Sequence, residues 1–315
     1  MMKQFLSLAA FVACTLTATA QSTVYFTREI SPESLVRIYK AVGVPATGRV
    51  AVKISTGEGG NTHYLKPELI GGLVDEVNGT IVECCTAYGG TRQEPAKHWQ
   101  TIREHGFSPR FAVDLMDEYG EMRIPVKDRK HIGYDVVGEH LGNYNFMINL
   151  AHFKGHAMGG FGGVLKNASI GVASTGGKAY IHSAGVTEDP VECWKHTQDQ
   201  DGFLESMAAA AQAVHNYFGE GHIIYIDVMN NLSVDCDCDG SPEAPKMKDV
   251  GILASTDPVA LDKACLDLVF NHKATDGDDQ QPLINRINRQ HGTHIIPYAE
   301  SIGLGTAKYT LVEIK

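Results

Sequence analysis

Two cysteines separated by a single residue are the most reactive feature of this sequence. Cys236 and Cys238 lie in the stretch SVDCDCDGSPEAP, with Asp235, Asp237 and Asp239 around them. On an extended backbone, side chains two residues apart point to the same side, so both sulfurs would face one ligand. Paired thiolates favour zinc, cuprous copper or iron–sulfur centres over magnesium or calcium. Because nearby carboxylates oppose thiolate formation unless a cation lies among them, the spacing predicts a metal site.

Disulfide bonding is the competing interpretation for these sulfurs, since disulfides persist in oxidising compartments. Neither Cys236 with Cys238 nor Cys84 with Cys85 closes an unstrained disulfide easily, because the bond requires a particular separation and direction of the two Cβ atoms. The alternative is therefore one cysteine in a longer disulfide and the other buried as a thiol. The sequence leaves open the disulfide state of Cys84, Cys85, Cys193 and Cys265.

Two histidines four residues apart lie in the stretch HFKGH. On a helix, this spacing would present both imidazoles to one ion. The segment follows a strand pattern, however, so a histidine bonded within its loop is the simpler interpretation for either residue alone. Beside the cysteines, a histidine would complete a mixed sulfur and nitrogen set. The predicted ligands of an iron or zinc ion are therefore Cys236, Cys238, His156, His152 and Asp235.

A glycine-rich loop, GHAMGGFGGVLKN, follows these histidines. Bare backbone amides at the start of a helix, with a lysine after them, suit a phosphate or carboxylate. The spacing matches neither the P-loop nor the dinucleotide fingerprint. The alternative is a turn at which two backbones pack closely. The residues predicted to bind a small anion or cofactor here are Gly160, Gly162, Gly163, Lys166 and Asn167.

Two further stretches carry polar residues that could serve a site. The stretch ASTGGKAYIHS places Lys178 and His182 on what reads as a loop. In STDPVALD, Asp257 is most simply a helix cap, because Pro258 follows at the first helical position. Asp262 would lie in the first turns of that helix, where the helix dipole favours an anion.

Alternating strands and helices must position these residues. Strand patterns occur in RVAVKIS, TIVECCTAY, YNFMINLAHF, GHIIYIDVM and DVGILAS, and helical patterns separate most of them. This order predicts an α/β fold with a mostly parallel open sheet and helices on both faces. The polar clusters TGEGGNTH, HFKGHAMGG and DCDCDG each follow a predicted strand. Because ligands of open α/β sheets bind beyond the carboxyl ends of the strands, we expect the three clusters to converge.

The chain begins with the pattern of a signal peptide: Lys3, an apolar run, and the small residues Ala18-Thr19-Ala20. We expect cleavage after Ala20 and a periplasmic or secreted protein, with a lipid anchor at Cys14 as the weaker alternative. The apolar run is too short to span a bilayer. Residues 21–315 then suit one α/β domain, and a division into two lobes stays open. The net charge of −10, with no basic stripe, disfavours nucleic acid as a partner.

Four stretches in order, HFKGHAMGGFGGVLKNASIG, GGKAYIHS, DCDC and DVGILASTDPVALDKACLDL, resemble the domain of unknown function 362 family. The resemblance runs from about Val50 to the end. Members are often iron–sulfur proteins with an inserted ferredoxin-like segment after the part that matches GGKAYIHS. Here residues 183–202 contain only Cys193, so a ferredoxin-type 4Fe–4S cluster is not expected. The resemblance implies functional roles at matching positions, and the expected catalytic residues are Lys166, His182 and Asp262.

A second, shorter pattern, H-x4-F-x-G-G-x2-K from His156 to Lys166, is similar to the segment of nickel-pincer lactate racemases that holds their cofactor by a lysine. Three functions follow as hypotheses. The first is an exported metalloenzyme or redox-related protein with a Cys/His site beside an anion-binding loop. The second is a non-catalytic protein that binds a metal or small anion, and the third is a pincer-cofactor racemase or isomerase. The sequence does not choose between redox and hydrolytic chemistry.

Overall fold

The computed structural model describes residues 21–315, which contain twelve strands and nine α-helices. The strands are β1 (Ser22–Thr27), β2 (Val50–Lys53), β3 (Thr80–Glu83), β4 (Val113–Leu115), β5 (Glu121–Pro125), β6 (Tyr134–Gly138), β7 (Phe146–His152), β8 (Lys154–His156), β9 (Gly160–Gly162), β10 (Ile223–Met229), β11 (Gly251–Ser255) and β12 (Tyr309–Glu313). The helices are α1 (Pro32–Val42), α2 (Pro67–Glu76), α3 (Pro95–Glu104), α4 (Val164–Ala168), α5 (Thr175–His182), α6 (Gln200–Phe218), α7 (Pro258–Phe270), α8 (Gln281–Arg289) and α9 (Ile295–Ser301). The predicted signal peptide, its cleavage after Ala20 and the alternative anchor at Cys14 lie outside the described residues.

Eight strands form one sheet in the order β12-β1-β11-β10-β7-β2-β3-β4. Every neighbouring pair is parallel except the two pairs made by β11, which runs antiparallel to β1 and β10. This arrangement confirms the predicted mostly parallel α/β sheet. No helix within residues 21–315 combines the length and the apolar character that a membrane crossing needs.

The central strand β10 explains why helices cover both faces of this sheet. All seven of its residues are buried, and successive side chains point to opposite faces. Ile224, Ile226 and Val228 pack in the cluster that includes residues of α1, α2 and α3. Ile223 and Tyr225 pack in the other cluster, which includes residues of α6 and α7. Each buried aliphatic side chain contributes about 1.5–3 kcal/mol relative to exposure, so both helix layers are held to the sheet.

The three polar clusters that follow β2, β7 and β10 meet at one edge of the sheet. These strands are parallel neighbours, so their carboxyl ends point the same way. The amide of Glu58 donates to the carbonyl of Asp237 at 2.7 Å, and the amide of Gly155 donates to the carbonyl of Ser233 at 2.9 Å. The predicted convergence is therefore confirmed.

Two segments differ from the predicted loops. The glycine-rich stretch contains the antiparallel hairpin of β8 and β9, because Lys154 pairs with Gly162 and His156 with Gly160. The stretch ASTGGKAYIHS forms α5, which begins after Ser174. The Ser174 side chain accepts from the amide of Gly177 at 3.1 Å and so caps the helix despite its two glycines.

Asp257 caps α7 as predicted, and it also bonds this helix to β1 and to the segment before β12. Its Oδ1 atom accepts from the amides of Val259 and Ala260 at 2.9 and 3.0 Å. Its Oδ2 atom accepts from the hydroxyl of Ser22 at 2.7 Å and from the amide of Thr306 at 2.9 Å. One carboxylate thus joins α7, β1 and the segment before β12.

Replacing Asp257 with alanine should lower the free energy of unfolding by about 1–2 kcal/mol, because the first amides of α7 lose their acceptor. Urea denaturation followed by circular dichroism measures this change. Glu243→Ala is the control, since Glu243 is exposed and lies outside every described helix and strand. The control should stay within about 0.5 kcal/mol of the parent protein. An Asp257→Ala variant as stable as the control would contradict the capping role.

Candidate functional site

A cavity of about 270 Å³ lies beyond the carboxyl ends of β2, β7 and β10. Its walls come from the loops after these strands, the loop after β3, and helices α4 and α5. Five basic side chains line the cavity, and the only carboxylates among its lining residues are Glu83 and Asp237; the basic residues are Lys53, Arg92, Lys154, Lys166 and Lys178. The cavity is therefore positively charged, although the whole chain carries a net charge of −10.

Asp237 is buried between two basic side chains of the neighbouring strands. Its carboxylate lies 2.8 Å from Nδ1 of His152 and accepts from Nζ of Lys154 at 2.9 Å. Burial alone would raise the pKa of Asp237, but His152 and Lys154 outweigh burial and hold the pKa well below its usual range. Asp237 therefore stays ionised and is already neutralised within the protein.

Glu83 is neutralised in the same way at the other side of the cavity. Its carboxylate accepts from Arg92 at 2.9 Å and lies 3.0 Å from Nε2 of His98, and the hydroxyl of Thr56 also donates to it. Burial would raise the pKa of Glu83, but His98 and Arg92 lower it well below its usual range. Both carboxylates of the cavity are thus committed to basic partners.

Three lysines of the cavity have no carboxylate partner among residues 21–315. Lys53 donates to the carbonyl of Ile54 and to Asn167 Oδ1, and Lys178 donates to the carbonyl of Ala173. The side-chain amine of Lys166 makes no hydrogen bond to any described residue. Burial, reinforced by the charge of Lys154 and then of Lys53, lowers the pKa of Lys166 to about 7. Burial likewise lowers the pKa of Lys53 to about 8. An anion in the cavity would relieve this unfavourable burial of positive charge.

Two of the backbone amides that the sequence predicts to be free, at the start of α4, are already occupied. The amides of Val164 and Leu165 donate to the carboxylate of Asp262 at 2.9 and 3.0 Å, so an internal carboxylate already occupies the start of α4. Gly163 is required at this contact, because a Cβ atom there would lie 2.3 Å from Asp262 Oδ1. Gly162 and Gly163 line the cavity, whereas Gly160 packs against Gly292. Val164 and Leu165 therefore have no free amide for an anion, whereas the lysine side chains of the cavity remain available.

Asp262 supports the cavity from behind its wall, whereas Asn167 is part of the wall. Asp262 is fully buried beside Asp227 and does not line the cavity. Burial raises the pKa of Asp262 to about 6 and raises that of Asp227 well above its usual range, so the pair shares a proton. Asn167 donates to the carbonyl of Lys53 at 3.0 Å and to Asn149 Oδ1 at 2.7 Å. Asn167 therefore positions Lys53, and its amide group has no free donor for a ligand.

Cys236 and Cys238 are joined in a disulfide in the structure, which corrects the expectation of two thiolates that bind a metal ion. The expectation rested on an extended backbone, but the amide of Asp239 donates to the carbonyl of Cys236 at 3.0 Å and makes a tight turn. This turn brings the two Cα atoms to 5.2 Å, which is within the usual range for disulfides. Because a disulfide sulfur is not a thiolate, the metal prediction applies only to the reduced protein.

Among the described residues, one group of three side chains has the geometry to hold a metal ion: His156, Cys236 and Cys238, whose ligand atoms lie within 4.8 Å of one another. His152 and Asp235 are not in this group. Nδ1 of His152 faces Asp237, and its Nε2 lies 2.6 Å from the carbonyl of Asn230. Asp235 accepts from Arg286 at 3.1 Å. These contacts explain why the two predicted ligands are diverted from the cysteines.

Two of the three histidines that line the cavity, His156 and His182, are held in opposite tautomers. Nδ1 of His156 accepts from the amides of Met158 and Gly159, so its Nε2 carries the proton. Nδ1 of His182 lies 2.7 Å from the carbonyl of Lys178 and donates to it, so its Nε2 is a bare acceptor. Burial, followed by the charge of Lys166, lowers the pKa of His156 well below its usual value. Burial lowers that of His182 to about 4, and both rings are neutral near pH 7.

Comparison with protein families assigns the chain to one family. A family model described as Domain of unknown function (DUF362) matches residues 50–267. The chain belongs to the DUF362 family. The match includes the loops after β2, β7 and β10, and thus every residue of the cavity named above. A search of curated proteins finds no match.

Two solved structures have weak similarity to this DUF362 chain. One is the lactate racemase apoprotein from Thermoanaerobacterium thermosaccharolyticum, with 16% identity, 65% of this chain and 50% of that chain covered, and a TM-score of 0.36. The other is a protein from Thermotoga maritima, with 12% identity, 62% and 49% coverage, and a TM-score of 0.38. This chain thus spans about half the length of each. At TM-scores this low, neither structure supports an inference about activity.

Three basic residues of the DUF362 cavity were missed by the sequence patterns. Lys53 lies within the apolar strand VAVKIS and Lys154 within HFKGH, so a lysine inside an apolar stretch was an available signal. Such a lysine is rarely buried unless it has a partner or a role. Arg92 had no signal, because it lies in the polar stretch GGTRQEP and is buried only through its contacts with Glu58 and Glu83.

We expect the amine of Lys166 to titrate at about pH 7, far below the ~10.4 of an ordinary lysine. Nuclear magnetic resonance of isotope-labelled dimethyl-lysines measures this midpoint, and Lys166→Arg assigns the signal. The unfolded chain keeps this proton up to ~10.4, so the Lys166 contribution to stability should rise with pH between the two values. An ordinary midpoint for the assigned signal would contradict the burial of positive charge described above.

Proposed function

We propose that this DUF362 protein binds a small organic anion, with a carboxylate or phosphate group, in the cavity beyond the carboxyl ends of β2, β7 and β10. The observation that carries the proposal is a set of three cavity lysines, the buried Lys53 and Lys178 and the partly buried Lys166, that have no carboxylate partner among residues 21–315. We further propose an exported protein, because residues 1–20 have the pattern of a signal peptide.

The cavity histidines His156 and His182 support an enzyme that moves a proton on the bound anion. The bare Nε2 of His182 is suited to accept a proton, and the Nε2–H of His156 is suited to donate a hydrogen bond to a developing negative charge. Both rings are neutral near pH 7, which general acid–base catalysis requires of its base. A non-catalytic binding protein would need the lysines but not this pair of opposite tautomers.

A metal ion held by Cys236, Cys238 and His156 is a second candidate, favoured by the proximity of their ligand atoms. The cysteines would supply thiolates for iron or zinc after reduction. His156 fits less well, because Nδ1 accepts from two amides and its Nε2 carries a proton. The metal would polarise a carbonyl or activate water beside the lysines.

The metal candidate predicts about one iron or zinc ion per chain in protein prepared anaerobically under reducing conditions. Elemental analysis measures this content. The paired variant Cys236→Ser plus Cys238→Ser should lose the ion, and Cys193→Ser, which removes a buried cysteine outside the cavity lining, should retain it. Equal metal content in the paired variant and the parent would refute the assignment to these sulfurs.

A pincer-cofactor racemase or isomerase is the third candidate. Lys166 supports it, because a lysine with a pKa near 7 is in part an uncharged nucleophile at neutral pH. This candidate requires Lys166 to be covalently modified in the active protein. The titration of Lys166 described above distinguishes the two states, since a modified Lys166 has no titrating amine.

Anion binding predicts that oxalate and phosphate raise the melting temperature of the protein, while chloride at equal ionic strength does not. Lys166→Met should weaken the affinity for the effective anion by about 10- to 100-fold, since one charged hydrogen bond is lost. Lys97→Met is the matched control, because Lys97 pairs with Glu94 on the exposed surface of α3. Isothermal titration calorimetry measures each affinity. Equal affinities in the two variants would overturn the proposal.

A further inference from the structure

The Cys236–Cys238 disulfide adds little to the stability of the fold. In the chain-entropy account, a disulfide stabilises by closing a loop of the unfolded chain, and its effect grows with loop length. Here the two cysteines are only two positions apart in the sequence. The bond therefore closes a very short loop and removes little entropy from the unfolded chain. A structural staple is therefore a weak explanation for this bond.

Hydrogen bonds hold the turn that carries these cysteines without help from the disulfide. The amide of Glu58 donates to the carbonyl of Asp237 at 2.7 Å, and Asn61 donates to the carbonyl of Asp239 at 2.7 Å. The side chain of Asp237 is fixed by His152 and Lys154 on the adjacent strands. Breaking the bond between the sulfurs would therefore leave the turn in place and free two thiols.

The disulfide borders the cationic cavity and also a second, more open pocket of about 370 Å³. Both cysteines line both spaces. Cys238 is half-buried, whereas Cys236 is only 4% exposed. An external thiol therefore has a path to the sulfur of Cys238, while the sulfur of Cys236 is sheltered.

The inner side of the disulfide is suited to receive a thiolate. Cys236 shares the cavity with Lys154 and Lys166, and His156 lies within 4.8 Å of both sulfurs as measured between ligand atoms. Neighbouring positive charge stabilises a thiolate and makes it a better leaving group. Attack at the accessible Cys238 would thus expel Sγ of Cys236, which in addition accepts from the amide of Cys238 at 3.2 Å.

We propose that Cys236 and Cys238 form a redox-active disulfide that exchanges with an external dithiol. A thiolate of the dithiol attacks Sγ of Cys238, the bond between the two cysteines breaks, and Cys236 leaves with the electron pair as a thiolate. The second thiolate of the dithiol then attacks the first sulfur of the same dithiol, which is bonded to Sγ of Cys238 in the mixed disulfide. Cys238 leaves as a thiolate. The dithiol is oxidised to a disulfide, and the two cysteines are reduced and take protons from solvent. This activity does not depend on the proposed anion binding.

The remaining cysteines provide an internal contrast. Cys84, Cys85, Cys193 and Cys265 are buried thiols. Burial raises the pKa of each, so these four are poor nucleophiles in the folded protein. Exchange should therefore be confined to the single pair at the rim of the cavity.

The first test is alkylation of the native protein, followed by peptide mapping. Brief treatment with dithiothreitol should make Cys236 and Cys238 reactive toward iodoacetamide, while the four buried thiols stay unlabelled. Circular dichroism should be unchanged by the reduction. A pair that is labelled only after denaturation would overturn the proposal, and so would a pair that is labelled without any reductant.

The second test concerns the direction of attack and uses the two single variants. With oxidised glutathione, Cys238 in Cys236→Ser should form a mixed disulfide about tenfold faster than Cys236 in Cys238→Ser, because exchange requires access to the sulfur. Mass spectrometry over time measures both rates. Equal rates, or faster reaction of Cys236, would contradict the assigned roles.

The paired variant Cys236→Ser plus Cys238→Ser should lose all exchange. Two independent readouts on the parent protein, reduction by dithiothreitol and stabilisation by anions, separate this proposal from the proposed function. If the parent protein exchanges but no anion stabilises it, only the proposed function fails. If anions stabilise the parent but dithiothreitol does not reduce the pair, only the redox proposal fails.

Discussion

The site depends on the buried ion pairs that the carboxylate of Asp237 makes with His152 and Lys154. Asp237 is buried between these two residues, and its backbone is bonded to the loop after β2. Removing one partner of a buried ion pair typically costs about 3–5 kcal/mol, because the remaining charge is left without compensation. This carboxylate therefore fixes the cysteine turn across the ends of three strands. It also commits Lys154 to the protein itself.

Once Asp237 and Glu83 are paired, the remaining charge of the cavity is positive. This protein is acidic as a whole, but its cavity contains lysines without carboxylate partners. The electrostatic potential in the cavity is therefore positive and attracts small anions. The lowered pKa values of Lys53 and Lys166 reflect the unfavourable free energy of burying their positive charge without a counter-ion. Asp227 and Asp262, which share a proton, lie on the same side of the sheet as these lysines. Asp262 accepts from the first two amides of α4, the helix that carries Lys166.

Local patterns were sufficient to predict the fold and the meeting point of the loops. The apolar strands, the Asp257 cap and the order of elements depend on neighbours in sequence, and the structure confirms them. The closed disulfide was missed because two-residue spacing was read on an extended backbone, whereas the backbone turns between Cys236 and Cys238. The occupied amides of α4 were missed because their acceptor, Asp262, is about a hundred residues away along the chain. A local turn decided the first outcome, and a long-range partner decided the second.

The most direct measurement is a crystal structure of the oxidised protein soaked with oxalate at neutral pH. The account predicts an oxalate carboxylate within hydrogen-bond distance of Nζ of Lys166, with Asp237 still bridging His152 and Lys154. A cavity that contains no oxalate at saturating concentration, with Lys166 turned to a partner within the protein, would contradict it.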